Sequence, residues 1–189
     1  MRTYVFNGSP HIDGNEKAAI ELFLEGMYTK ADVLKGNDVS LFSNIWNLHW
    51  MNLQYCKDCG MCTGNGGRCI IQDDFKNIGE RLATCDVLVF ATPVVEYGMS
   101  AQLKNAIDRM MRCVDKQVLK GMKIFLLVTG CSEADKDGFT LIEQQMRFLC
   151  ERYGMHLLAS RFLRVASDGC ICSDSEQVDM LKNLHTLLL

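Results

Sequence analysis

An α/β fold on a parallel sheet is what this sequence predicts, and three observations carry that reading. Segments of strand and helix character alternate along the chain. Two strand segments, Val87–Ala91 and Ile124–Val128, are apolar at every position, as strands covered on both faces must be. The length of 189 residues suits one domain, 1–189, with a full core and five strands, and is short for a barrel.

The first strand is Tyr4-Val5-Phe6, ending in the loop Asn7-Gly8-Ser9-Pro10-His11-Ile12-Asp13-Gly14-Asn15. Ile20, Phe23, Leu24 and Met27 then fall on one helical face, with Asn15 as the expected N-cap. A strand, turn and helix start in succession aim unpaired backbone N–H groups and a helix dipole at one point, which suits a phosphate. The stretch is not a Walker loop, because no Gly-Lys-Ser/Thr follows. Nor is it the dinucleotide fingerprint, because Gly8 and Gly14 do not fall at that spacing. An ordinary turn without a ligand reads the same way, and the stretch alone leaves both readings open.

Asp38–Asn47 reads as the second strand, with Val39, Leu41, Ile45 and Trp46 in imperfect alternation. A cysteine- and glycine-rich loop runs from about His49 to Gln72, and Asp73-Asp74 opens a helix holding Phe75, Ile78 and Leu82. Two acids in a first turn complement the helix dipole. After Val87–Ala91, the loop Thr92–Met99 leads to a helix from about Ser100, with Leu103, Ala106, Ile107 and Met110 on one stripe. Ile124–Val128 ends at Thr129-Gly130-Cys131. A helix over Phe139–Tyr153, a last strand over Leu157–Val165 and a terminal amphipathic helix over Asp174–Leu188 complete the chain.

Five such strands fit a three-layer sandwich in the flavodoxin-like order 2-1-3-4-5. Loops leaving the C-terminal ends of parallel strands emerge at one edge, and ligands bind there where the strand order reverses. The loops beginning at Asn7, His49, Thr92 and Thr129 are therefore expected to gather in one place.

Composition narrows the function. Hydrophobic content of 48% and charged content of 23% are those of a globular protein in water. A net charge of -3 argues against a nucleic-acid surface, and no apolar run is long enough to span a membrane. The first residues run straight into a strand instead of a signal segment. Ten cysteines in that context point to a reducing interior, so the cytoplasm is the expected compartment.

Four of those cysteines form the run Cys56-x2-Cys59-x2-Cys62-x6-Cys69. Three thiols at two-residue gaps can wrap one centre, and a fourth completes four-coordinate ligation. The last gap is no obstacle, since seven chain steps span about 23 Å. A [4Fe–4S] cluster, a four-thiolate zinc and a set of free thiols shaping the loop all remain open on spacing. Zinc more often takes two separated pairs than an overlapping triplet. Of the rest, Cys85, Cys113 and Cys150 read as small core residues, as does Cys131, while Cys170 and Cys172 lie in a glycine-containing loop. No cysteine is paired in sequence with a histidine base, so a catalytic thiol is not indicated. Trp46, Trp50 and Tyr55 flank the cysteine loop and read as lids on the core.

The loop Thr92-Pro93-Val94-Val95-Glu96-Tyr97-Gly98-Met99-Ser100 joins Asn7-Gly8-Ser9-Pro10 and Gly14-Asn15 in a wider pattern. Together with Ala101-Gln102-Leu103-Lys104 and Ile107-Asp108-Arg109, these residues resemble the flavodoxin-like NAD(P)H-dependent FMN reductases. The cysteine run resembles the iron-sulfur flavoprotein branch of that family. The resemblance implies FMN phosphate on Ser9, His11, Gly14 and Asn15. It implies the flavin ring along Pro93, Val94, Val95, Glu96, Tyr97, Gly98 and Met99, with Thr129 and Gly130 closing the edge. It also implies cluster ligation by Cys56, Cys59, Cys62 and Cys69, NAD(P)H as co-substrate, and a homodimer or homotetramer.

A flat isoalloxazine needs backbone donors and acceptors around its rim and apolar cover on its faces, which a loop rich in Pro and Gly can bring close. Glu16 stands where the family usually has a small hydroxyl residue. A carboxylate beside a phosphate is repulsive, so Glu16 is expected to turn outward, toward Lys17. Val95 stands where an aromatic is common, leaving stacking to Tyr97. The expected function is an FMN-dependent oxidoreductase passing electrons to a small-molecule or protein acceptor. Its rivals are a flavodoxin-like electron carrier, for which a charge of -3 is mild, and a redox-sensing module without turnover.

Overall fold

The computed structural model describes residues 1–11, 13–28, 44–166 and 169–188. Its strands are β1 (Thr3–Asn7), β2 (Ile45–Asn47), β3 (Val87–Val95), β4 (Gly98–Met99), β5 (Lys123–Gly130) and β6 (His156–Arg164). Its α-helices are α1 (Asn15–Met27), α2 (Met61–Gly64), α3 (Phe75–Leu82), α4 (Ala101–Cys113), α5 (Lys116–Leu119), α6 (Glu133–Tyr153) and α7 (Ser175–Asn183). The long parallel strands run β2-β1-β3-β5-β6, and the two-residue β4 folds back on β3 as a hairpin. Numbered among parallel strands alone, this is the flavodoxin-like order 2-1-3-4-5.

Alternation explains why the central strands are apolar throughout. Tyr4, Phe6, Leu88, Phe90, Ile124, Leu126 and Val128 face one side, against α3, α4 and α6. Val5, Val87, Val89, Ala91, Phe125 and Leu127 face the other, against α1 and α7. Each face of the sheet therefore has its own core. The stripe on α1 delivers fully buried Ile20 and Phe23, each contributing about 1.5–3 kcal/mol by leaving water.

Several boundaries differ from the sequence reading, each for a local reason. The second strand was expected from Asp38; its described part is Ile45–Asn47, and residues 38–43 lie outside the described residues. The N-cap of α1 is Gly14 in place of Asn15, whose side chain is engaged elsewhere. Helix α6 begins at Glu133, well before Phe139, because Ser132 and Asp135 form a reciprocal capping box. The terminal helix stops at Asn183 and continues as a 3-10 turn through Leu188.

Trp46 is buried and stacks on Tyr4 at 4.8 Å between ring centroids, so it is a lid on the core as expected, whereas Trp50 and Tyr55 are exposed. Cys131 is exposed and not a core residue, since it follows the last residue of β5 at the rim of the sheet. No described helix is long and apolar enough to cross a membrane.

Candidate functional site

Two stretches far apart in sequence meet at the C-terminal edge of the sheet. The backbone N–H of Gly8 donates to Ala91 O at 2.8 Å, joining the end of β1 to β3. A Cβ on Gly8 would come within 2.7 Å of both Leu103 Cβ and Ser100 Oγ, so only glycine lets the loop lie against the start of α4. Ser100 caps that helix by accepting from Leu103 N, and its own N–H donates to Thr92 Oγ1 at 2.9 Å. Gly8 thus lies beside both ends of the 93–99 segment, at Ala91 and Ser100.

The segment expected to be a loop is a strand that turns back on itself. β3 continues through Val95 and pairs with β4, Val94 opposite Met99 and Val95 opposite Gly98. Glu96 and Tyr97 form the tip, with φ of 46° and 63°. A two-residue hairpin with right-handed twist needs positive φ at both central positions, usually supplied by Asn and Gly. Two ordinary side chains held there store strain of about 1–3 kcal/mol each. The neighbour that holds them is α6: a Cβ on Gly138 would come within 2.5 Å of Val94 Cγ1 and 3.0 Å of Tyr97 Cα. Met99 is buried, Pro93, Val94 and Gly98 are half-buried, and Val95, Glu96 and Tyr97 are exposed, so the hairpin offers a rim with solvent on one side.

The loop after β1 is closed by its own side chains. Asn7 Oδ1 accepts from Ser9 N at 3.0 Å, while Asn7 Nδ2 donates to Asn47 Oδ1 at the end of β2. Ser9 Oγ accepts from His11 N at 3.2 Å. Asn15 reaches across to the segment after β6, donating to Gly169 O at 3.2 Å and accepting from Ile171 N at 2.8 Å. That link was not legible in the sequence, and it explains why Asn15 does not cap its own helix.

Glu16 overturns its expected orientation. It is buried, and its carboxylate points into the loop: Ser9 Oγ donates to Oε2 at 2.8 Å and Thr129 Oγ1 donates to Oε1. Lys17 instead pairs with Asp13 at 2.7 Å, away from Glu16. A Cβ on Gly14 would come within 2.9 Å of Glu16 Oε2 and 3.4 Å of Ser9 Oγ, which places the carboxylate oxygen inside the bowl formed by Ser9 and Gly14. Burial of an ionisable group is tolerated when its lone pairs are hydrogen-bonded, and two hydroxyls do that here, Ser9 from the loop after β1 and Thr129 from β5.

The two ends of this edge therefore differ in how they suit an FMN. The rim made by the hairpin, Thr129 and Gly130 presents backbone and apolar groups on which a flat ring can lie. The bowl does not fit a phosphate as it stands, because hydroxyls able to donate to one are already donating to a carboxylate. Two like unit charges 4 Å apart repel by about 4 kcal/mol near a protein surface, and a phosphate carries nearly two.

The cysteine loop is a separate construction. Its neck is a set of cross-links between residues 52–54 and 73–74: Asn52 N donates to Asp74 Oδ2 at 2.7 Å, and Gln54 N donates to Asp73 Oδ2 at 2.9 Å. Arg109 on α4 grips both sides, bidentate to Asp73 at 2.8 and 3.0 Å and donating to Gln54 O at 2.7 Å. Asn105 adds a bond to Leu53 O, and the guanidinium lies 4.6 Å from the centre of the Phe75 ring. Burial pushes the Asp73 carboxyl up. Hydrogen bonds from Arg109, Gln54 and Phe75 outweigh it and hold the group below the ordinary carboxylate value.

Inside the loop, Cys56, Cys59, Cys62 and Cys69 line one cavity of about 30 Å³. A fifth thiol, Cys113, faces the same space. It reads from sequence as a core residue but is only half-buried, and Gly67 lies close against its carbonyl. Burial pushes the Cys113 thiol up, and neighbouring Cys69 and Cys62 add to the effect. Among the described residues, no three His, Cys, Asp or Glu side chains stand at the spacing of a metal site. The donor chemistry fits an iron-sulfur centre, but the thiols would have to draw together around it.

The cysteine loop is expected to gather with the loops at Asn7, Thr92 and Thr129, but its thiols lie beside Arg112 and Cys113 at the far end of α4. Cys113 is the last residue of α4 and Ser100, at the rim, precedes the first. A helix of that length spans about 20 Å. A cavity of about 500 Å³ beside the thiols, lined by Cys69, Phe75, Lys76, Cys113, Asp115 and Val118, lies at that same far end.

The family model for NADPH-dependent FMN reductase matches residues 1–167. YwqN of Bacillus subtilis, provisionally named an NAD(P)H-dependent FMN-containing oxidoreductase, is 34% identical over 151 residues, 76% of this chain and 75% of that protein. Iron-sulfur flavoprotein MJ0731 of Methanocaldococcus jannaschii is 28% identical over 140 residues, 73% of this chain and 64% of that protein. Among solved structures, the Trp repressor binding protein from Bacillus subtilis superposes with a TM-score of 0.69 at 23% identity, covering 97% of this chain and 98% of that one. The NAD(P)H:quinone oxidoreductase from Methanothermobacter marburgensis gives 0.67 at 17% identity, covering 100% and 98%. At those identities the structures support the fold.

Proposed function

The chain belongs to the NADPH-dependent FMN reductase family and is a flavin oxidoreductase of it; we propose that it takes reducing equivalents from NAD(P)H and delivers them to a quinone-type or other small acceptor. The observation that supports this most is the convergence at the edge of the sheet: Gly8 bonds Ala91 and lies against Ser100 at the two ends of the 93–99 segment, while Thr129, which bonds Glu16 and through it Ser9, pairs beside Pro93. A flavin bound there supplies hydride acceptance and electron release, and the protein need supply no acid or base. Pro93–Met99 with Thr129 and Gly130 bound the ring. Ser9, His11, Gly14 and Asn15 bound the ribityl end, and the exposed side of the hairpin leaves room for nicotinamide and acceptor in turn.

The test is anaerobic reconstitution of the chain with FMN or riboflavin, followed by addition of NADH or NADPH and then a quinone. Bleaching by the nucleotide and steady turnover with the quinone are expected. Binding of neither flavin by the folded chain refutes the reading. Flavin reduced only by a partner protein would make it a carrier instead.

A second reading concerns the cysteine loop, and one specific observation favours it: Cys56, Cys59, Cys62 and Cys69 share one cavity although six residues separate the last two. Relatives named iron-sulfur flavoproteins point the same way. These four thiols would hold a [4Fe–4S] centre, a group able to exchange single electrons. Iron and acid-labile sulfide near four of each per chain, with a brown absorbance shoulder after anaerobic reconstitution, are expected. Zinc alone, or no metal, refutes it.

A further inference from the structure

The filled bowl after β1 speaks to which flavin this chain takes. We propose that Glu16 is a specificity residue that selects a flavin ending in a free ribityl hydroxyl, riboflavin chemistry, over one ending in a phosphate. The inference rests on the flavin reading of the same edge and concerns only its ribityl end.

Three observations carry it. Both carboxylate oxygens of Glu16 are engaged from opposite sides, Oε2 by Ser9 Oγ at 2.8 Å and Oε1 by Thr129 Oγ1. The side chain is buried at 6% exposure, and Oε2 lies inside the bowl beside Gly14. Second, three donors on the Ser9 side of the bowl are already engaged: Ser9 N goes to Asn7 Oδ1, His11 N to Ser9 Oγ, and Ser9 Oγ to Glu16. Third, the nearest lysine, Lys17, is turned onto Asp13 and Glu21 and brings no positive charge into the bowl.

A carboxylate has about four acceptor positions, and two hydroxyl donors leave the rest for an incoming group. A ribityl hydroxyl can donate to it, forming a charge-assisted bond stronger than a neutral one. A phosphate at the same place has no proton to offer at neutral pH and adds like charge to a site already negative. The geometry that excludes a phosphate is thus the geometry that receives an alcohol. Glu16→Ser reverses the preference, because the hydroxyls of Ser9 and Thr129 and the one introduced would then all be free to donate.

The experiment is a fluorescence-quenching titration of the flavin-free full chain with riboflavin and with FMN, repeated on Glu16→Ser and Glu16→Gln. Circular dichroism confirms that each variant folds. Wild type is expected to bind riboflavin at least tenfold more tightly than FMN. Glu16→Ser should tighten FMN at least tenfold while weakening riboflavin, and the isosteric Glu16→Gln should move both in the same directions by less. Parity between the two flavins in wild type, or a preference for FMN that neither variant changes, overturns the inference and leaves the flavin reading intact. Failure of wild type and both folded variants to bind either flavin overturns both.

Discussion

Arg109 and Asp73 form a bidentate ion pair with side chains 1% and 0% exposed, and together they fasten the two sides of the cysteine loop's neck to α4. Neither charge could be buried alone. Removing the guanidinium leaves the buried Asp73 carboxylate without its countercharge and with only backbone donors from Gln54 and Phe75, so Arg109→Ala is expected to cost about 3–5 kcal/mol. Replacing both, as in Arg109→Met with Asp73→Leu, should return much of that loss. Urea unfolding of the three variants measures it, and a single mutant as stable as wild type would refute this account of the neck.

The same pair sets an acid limit. The Asp73 carboxyl is held below the unfolded value of about 3.9, so its contribution is whole above that pH and is lost as pH falls through the folded value. The unfolding free energy of wild type should therefore hold its margin over Asp73→Asn down to about pH 4 and approach that variant's as pH falls from there through the folded value. A gap of constant size across that range would show that the carboxylate is not the group involved.

The strained hairpin tip is held by contact with α6, and that contact has no slack at Gly138. Gly138→Ala must push Val94 and Tyr97 away from the helix. Flavin affinity is expected to fall about tenfold, equivalent to about 1.4 kcal/mol. The cost should appear in the dissociation constant of whichever flavin binds, and it should be similar for riboflavin and FMN if the hairpin bounds the ring as proposed. A loss confined to FMN would place the disturbance at the ribityl end instead.

Five thiols share the loop cavity, and the spacing of the run selects four of them as ligands. After anaerobic reconstitution, Cys59→Ala should lose the brown shoulder and most of its iron, whereas Cys113→Ser should keep both. Iron unchanged in Cys59→Ala would refute the ligation scheme. Iron lost from Cys113→Ser would move the fifth thiol into the ligand set.

Most of the fold can be read from the sequence because burial on two faces leaves uninterrupted apolar runs, and Val87–Ala91 and Ile124–Val128 are such runs. What escapes reading depends on partners that pattern cannot see. Pro93 and Gly98 advertise a loop at 92–99, yet pairing with Gly98–Met99 makes it a hairpin. The direction of Glu16 is decided by Thr129, on a strand 113 positions away, and by Ser9, neither of which alters the local propensity of α1. Asn15 has the chemistry of a cap, but the segment around Gly169 and Ile171 competes for it. Cys113 looks like a core residue because its helix stripe is apolar, and only the folded loop brings Cys69 to its side.

Among the described residues, the neck of the cysteine loop is closed without a thiol, by Arg109, Asn105, Asp73 and Asp74 outside the run of cysteines. Such an insert behaves as a cassette. Its contents could be shortened, stripped of cysteine or exchanged for another metal-binding sequence while the sheet and its ligand edge carry on beneath it, and one scaffold could so host chains with iron and chains without.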